Sequence, residues 1–261
     1  MSFPQRSMSH LREIHKGSSI AGGICQKSEG TLSLAIEDLK VFCKELIEKH
    51  GGTFYWKKVL KGSELFETNK NCSISPDGGL FYMTLESRTY CFLIVEDKCQ
   101  GTNDTRFVRK LPKQASGNAI ERVFKNLNAS WHLFKDLPVS PYLVFVSGCD
   151  FHSTETIIDR IGPMSNFGKK PLVWEKTSEN IFNVDEMKEK INIKKNMNRE
   201  FATFCVKTHK YNEFPNGSTM WLWEERLTIM KHIAEQSIKE IALHHSIYGR
   251  ICPPTYDNIH R

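Results

Sequence analysis

Residues 79 to 96, GLFYMTLESRTYCFLIVE, hold two apolar runs on either side of the polar residues Glu86, Ser87 and Arg88. Each run has the length and the aromatic content of a strand, and the polar centre reads as a turn around Ser87 and Arg88. The second run, YCFLIVE, is almost continuously apolar instead of alternating, which is the pattern of a strand covered on both faces.

The segment that follows can supply cover. From 116 to 137, SGNAIERVFKNLNASWHLFKDL spaces Ile120, Phe124, Leu127, Trp131 and Phe134 by four, three, four and three. That is an amphipathic helix, with Ser116 as a candidate N-cap. After Pro138 and Pro141, YLVFVSG reads as another buried strand. Strand, crossover helix and strand make a βαβ unit, which implies parallel pairing and a right-handed connection. The fold class expected is α/β, a central mixed β-sheet flanked by helices.

Further out, 32–50 (LSLAIEDLKVFCKELIEKH) steps Leu32, Ile36, Leu39, Phe42 or Cys43, and Leu46 by three and four, with Gly51 as a C-cap. This predicts a helix. TFYWKKVL, directly after it, fits a short strand or the end of a helix pair. The charged stretch 185–200 reads as a solvated helix face, and 221–249 as a long amphipathic helix. The tail CPPTYDNIHR is expected to be a surface loop.

No Gly/Ser tract, Pro-rich spacer or internal repeat divides the 261 residues, so a single domain spanning 1–261 is expected. Hydrophobic content of 39% with 25% charged residues excludes a disordered chain. No apolar run approaches the roughly 20 residues of a membrane-spanning helix, and the N-terminus has no apolar core of a secretory signal. A cytoplasmic location is expected. The eight cysteines are scattered without a C-x-x-C pair, which argues for buried reduced thiols over a zinc ribbon. A net charge of +6 is compatible with a polyanionic partner.

Chemistry is concentrated where the strands end. VEDKCQG, residues 95–101, sets Glu96, Asp97 and Lys98 in succession, and alternation puts Glu96 and Lys98 on one face. Counted from the turn, Asp77 of ISPDGGL falls near Glu96 across the hairpin. Two carboxylates beside one ammonium are what metal-assisted hydrolysis of a phosphodiester requires. Hard Mg²⁺ takes oxygen ligands, here Asp77 and Glu96, and Lys98 would hold or deprotonate a water and offset negative charge. Asp97 would point to the other face and offer its main-chain oxygen. The same residues could equally form a turn Asp and a surface ion pair.

A second cluster is SGNAIER, 116–122. Free N–H groups at a helix start favour a phosphate, and Asn118 and Arg122, four apart on one face, are of the types that read adenine and guanine edges. Glu121 could pair with an arginine or accept from a base amino group. A polar first turn facing solvent explains the same residues.

Taken together and in this order, SPDGG, VEDKCQG and SGNAIERVFKN resemble the EcoRI-type type II restriction endonucleases, of the PD-(D/E)xK nuclease superfamily. The likeness runs from about residue 14 to beyond 240 and is strongest over 71–150, the expected catalytic and recognition core. The resemblance implies that Asp77, Glu96 and Lys98 form a Mg²⁺-dependent active site, with Asp97 completing the metal set. Asp97 stands where the family usually has a small residue. It also implies that Asn118, Glu121 and Arg122, in one run with Gly117 and Ala119, read the inner AATT of a palindrome in double-stranded DNA. Gln114 and Ala115 match positions that touch the outer base pair, and Gln114 departs from the apolar residue found there. A homodimer, 5′ overhangs with 5′-phosphates and a companion DNA methyltransferase are further implications. A PD-(D/E)xK nuclease of other specificity and a non-catalytic DNA-binding protein are the competing readings.

Overall fold

The hairpin forms and lies in the middle of the sheet. The computed structural model describes residues 23–61, 73–99, 116–134, 137–139, 141–148, 151, 172–175, 183–191, 202–208 and 221–248. In chain order these give α1 (Gly23–Lys49), β1 (Thr53–Lys57), β2 (Leu60–Lys61), β3 (Ser73–Ile74), β4 (Gly79–Leu85) and β5 (Arg88–Cys99). Then come α2 (Ser116–Phe134), β6 (Tyr142–Ser147), β7 (Leu172–Glu175), α3 (Val184–Lys190), β8 (Ala202–Thr208) and α4 (Trp223–Tyr248).

Six strands make one mixed sheet in the order β1-β4-β5-β6-β8-β7. The β1, β4 and β5 half is antiparallel, and from β5 through β6 and β8 to β7 the pairing is parallel. β5 is therefore the strand at which the direction of pairing changes. TFYWKKVL supplies the edge strand β1 and the start of β2, which resolves the choice left open above.

The turn of the hairpin is Glu86 and Ser87, one residue earlier than expected, and Arg88 already belongs to β5. Glu86 takes φ 52°, the left-handed conformation that two-residue hairpin loops require at their first position. Between Phe81 and Tyr82 the register shifts, because their partners are Leu93 and Cys91 and Phe92 is the extra residue of a β-bulge. The bulge reverses the alternation of faces. Tyr90 and Asp97 are seven apart, which on an unbroken strand would put them on opposite faces. Both nonetheless meet α4, Tyr90 through His245 and Asp97 through Arg226.

Helices α1 and α4 pack against each other and against β4 and β5 on that face. The buried residues of α1, Leu32, Ala35, Ile36, Leu39, Cys43 and Ile47, keep the expected spacing. The helix begins at Gly23 and not near 32. Its early buried positions are the polar Ser28 and Thr31, so an apolar stripe could not reveal them. On the other face lies α2, where Phe134 meets Tyr82 with ring centroids 6.3 Å apart. Its buried side is Ile120, Val123, Leu127, Ser130 and Phe134. Phe124, expected inside, is exposed. The 3-4-3-4 and 4-3-4-3 spacings share most of a face, and the true centre is one residue earlier.

In α3 only Met187 is buried, and Asn183 Oδ1 caps the helix by accepting from the amides of Asp185 and Glu186 at 2.9 and 3.3 Å. The solvated face is as expected as far as Lys190, while 192–200 and the tail lie outside the described residues. Cys43, Cys91 and Cys205 are buried thiols. Among the described residues no helix is long and apolar enough to cross a membrane.

Candidate active site

Asp77 sits in a turn that glycine makes possible. The Gly79 amide donates to the Pro76 carbonyl at 3.0 Å, and Gly79 takes φ 83°. The Gly78 amide donates to the Val95 carbonyl at 2.8 Å. This approach is so close that a Cβ on Gly78 would lie 2.6 Å from the Val95 side chain. From the other side, Trp56 Nε1 donates to the Gly78 carbonyl at 3.0 Å and Lys58 Nζ to the Asp77 carbonyl. The turn is thereby pinned against the end of β5, where Glu96 and Lys98 lie.

The three predicted residues converge. Lys98 Nζ lies 2.7 Å from Asp77 Oδ2 and 2.5 Å from Glu96 Oε1, and it donates to the Asp97 carbonyl at 3.0 Å. The Glu96 side chain is 2% exposed, Lys98 16% and Asp77 45%, so the cluster runs from the floor of the sheet to its rim. Glu96 Oε2 accepts from the Asp77 amide and from the Tyr142 hydroxyl, each at 3.3 Å. Burial pushes the Glu96 carboxyl above its usual range, the Lys98 ammonium pulls it down, and the Asp77 charge pushes it up again, leaving a net rise. For Lys98, burial works against the charged form, but Glu96 and Asp77 outweigh it and its affinity for the proton rises. Burial beside Glu96 raises Tyr142 well above the ordinary phenol range.

These donors fit a hard divalent cation. They are two carboxylates and one carbonyl, and the buried Glu96 lacks positive charge apart from Lys98. Among the described residues no three His, Cys, Asp or Glu side chains form a closed metal cage. A partial oxygen set of this kind suits an ion that keeps several of its waters.

Asp97 turns away from this cluster. Its Oδ1 and Oδ2 are each 3.1 Å from Arg226 NH2, and Oδ2 accepts from the Ser28 hydroxyl at 2.6 Å. Arg226 NH2 also donates to Ser28 Oγ at 2.6 Å, and NH1 to the Ser28 carbonyl at 3.2 Å. All three residues are buried. What Asp97 presents to the site is its backbone: the carbonyl near Lys98, and the amide, which donates to Asp77 Oδ2 at 3.4 Å.

Of the second cluster, the start of α2 carries Ala119 half-buried and Glu121 and Arg122 exposed. The side chains of Gly117 and Asn118, and the whole of Gln114 and Ala115, lie outside the described residues. Sequence reasoning missed Tyr142, Arg226 and Ser28. A phenol opening a buried strand and an arginine three residues before Ile229, on the apolar stripe of α4, were signals available for the first two.

No curated protein matches the chain. The family model described as restriction endonuclease EcoRI matches residues 57–247, from β1 almost to the end of α4. That span is well over half of the sequence and contains Asp77, Glu96, Lys98 and the whole GNAIER segment, so the chain belongs to the EcoRI restriction endonuclease family and is a type II site-specific deoxyribonuclease.

Proposed function

We propose that this enzyme cuts both strands of duplex DNA at a short palindrome containing AATT, leaving 5′ overhangs with 5′-phosphates, and that it uses Mg²⁺ held by Asp77, Glu96 and the Asp97 carbonyl. The observation that carries the reading is the convergence of Asp77 and Glu96 on one ammonium, Lys98, at 2.7 and 2.5 Å. A bound divalent cation would lower the pKa of a coordinated water and offset charge on the phosphate. Lys98 holds the attacking water in line and stabilises the added negative charge, which its donors can do once they exchange a carboxylate for substrate oxygen. Water oxygen bonds to phosphorus, the bond to the 3′ oxygen breaks, and the products are a 3′-hydroxyl and a 5′-phosphate.

For recognition, Arg122 and Glu121 are exposed on the first turns of α2, and with Asn118 they would read the inner AATT from the major groove. Gly117 and Ala119 would allow close approach to the bases, and Gln114 and Ala115 would face the outer base pair. A palindrome is matched by a twofold protein, so the working form is a homodimer with two active sites. In the cytoplasm a companion methyltransferase would protect host DNA.

The test is a plasmid digest in Mg²⁺ followed by sequencing of the ends. A single recurrent 5′ overhang within an AATT-containing palindrome is expected, and none with Asp77→Ala. Random ends, or undiminished cutting by that variant, would overturn the reading.

A further inference from the structure

We propose that Tyr142 is a positioning residue that ties the carboxylate of Glu96 to the recognition helix α2 through Asn126. In this arrangement a shift of α2 on DNA reaches the site of phosphodiester cleavage through two hydrogen bonds. The inference rests on Glu96 being catalytic, as proposed above.

Tyr142 opens β6, and at 2% exposure its hydroxyl has no access to bulk water. It donates to Glu96 Oε2 at 3.3 Å, and its ring is hydrogen-bonded through the same hydroxyl to the Asn126 side chain. Because the single phenolic proton is engaged by the carboxylate, the oxygen acts as acceptor toward Asn126 and the amide NH₂ donates. The chain Asn126, Tyr142, Glu96 thus has a defined polarity.

Both ends of this chain matter to the reaction. Glu96 Oε1 is closely engaged by Lys98 at 2.5 Å, whereas Oε2 receives only two long bonds, from Tyr142 and from the Asp77 amide. Oε2 is therefore the oxygen with lone-pair capacity left for a cation, and Tyr142 sets its direction. At the other end, Asn126 lies four residues after Arg122, one turn further along the same side of α2. Groups that touch bases and a group that orients the carboxylate are borne on one stiff helix.

The experiment compares full-length wild type, Tyr142→Phe, Asn126→Ala and the double variant, in Mg²⁺, on a duplex oligonucleotide bearing the cleavage site and on one with a single base pair changed. Tyr142→Phe keeps the ring. It is expected to lower the single-turnover rate on the cognate duplex by roughly 10- to 100-fold with unchanged DNA affinity, and to narrow the cognate-to-altered ratio of rates. Asn126→Ala should do the same. Because both act through one chain, the double variant should be no slower than Tyr142→Phe. A wild-type rate and ratio in Tyr142→Phe, a loss confined to its melting temperature, or additive losses in the double variant would each overturn the link. Glu96→Gln separates the two levels. If it cleaves normally, the assignment of Glu96 itself fails; if it is inactive while Tyr142→Phe is normal, the link alone fails.

Discussion

Asp97 and Arg226 form a buried ion pair on the face of β5 opposite Glu96 and Lys98, with both carboxylate oxygens 3.1 Å from one guanidinium nitrogen. The pair joins the catalytic strand to α4 and, through Ser28, to α1. The charge at the position where relatives carry a small residue is thereby neutralised away from the metal-binding face. Removing one partner of such a pair leaves the other charged and dry, so Arg226→Met should lose roughly 3–5 kcal/mol of stability. Asp97→Asn keeps the main-chain carbonyl. It should therefore cleave with an unchanged dependence on Mg²⁺ concentration. Urea unfolding of the first variant and a Mg²⁺ titration of the second check both statements, and a shifted titration would mean that the side chain acts on the metal.

Lys98 is the only group within 3 Å of both Asp77 and Glu96 carboxylates among the described residues. Lys98→Met removes the donor that would meet the developing negative charge, and cleavage should fall by at least about 10²- to 10³-fold. DNA binding should persist, because the exposed base-reading residues on α2 are untouched. Filter binding and single-turnover cleavage on the same duplex distinguish the two effects, and loss of both together would argue for a folding role instead. Chelation with EDTA should abolish cleavage in the wild type.

The sheet and the catalytic trio were legible because each rests on short-range rules. Strand alternation places Glu96 and Lys98 together, and a two-residue loop brings Asp77 opposite the end of β5. The bulge at Phe92 was not legible, since YCFLIVE is apolar at every position and offers no parity to break. Its consequence, that Tyr90 and Asp97 share a face, followed only from the coordinates. Phe124 shows a related limit: where two helical spacings fit the same residues, only packing chooses the centre of the buried side. Tyr142 and Arg226 come from segments 46 and 130 residues distant from Glu96, and a single sequence gives no register between segments so far apart.

In the metal-free protein Glu96 binds its proton more tightly when folded than when unfolded. From the ordinary glutamate pKa of about 4.3 upward, to its raised value, the folded state holds the extra proton, so this residue's contribution to stability falls as pH rises. Lys98 acts in the same sense at high pH: its contribution is complete below its ordinary pKa and is lost as pH rises through the raised one. Glu96→Gln carries no titration at this position. Its stability relative to wild type, measured by urea unfolding in EDTA, should increase between pH 4 and pH 7. A difference that is flat or shrinks would show that burial does not disfavour the Glu96 charge. The same variant should be inactive, a case of function held at the expense of stability.

Two glycines separate strain from placement. Gly78 lies so near β5 that a Cβ would be 2.6 Å from Val95, the residue before Glu96, so Gly78→Ala must push the 76–79 turn outward. Asp77 would then draw away from Lys98, and cleavage should fall by about 10²-fold or more while DNA binding changes little, since misplacement of roughly 1 Å has that cost. Gly51, at φ 72°, caps α1 with nothing within 4 Å of its would-be Cβ. Gly51→Ala should lower stability by about 1 kcal/mol through left-handed backbone strain alone and leave the cleavage rate unchanged. Parallel melting and single-turnover measurements give the comparison. Equal catalytic losses in the two variants would mean that the turn carrying Asp77 is not held by its contact with Val95.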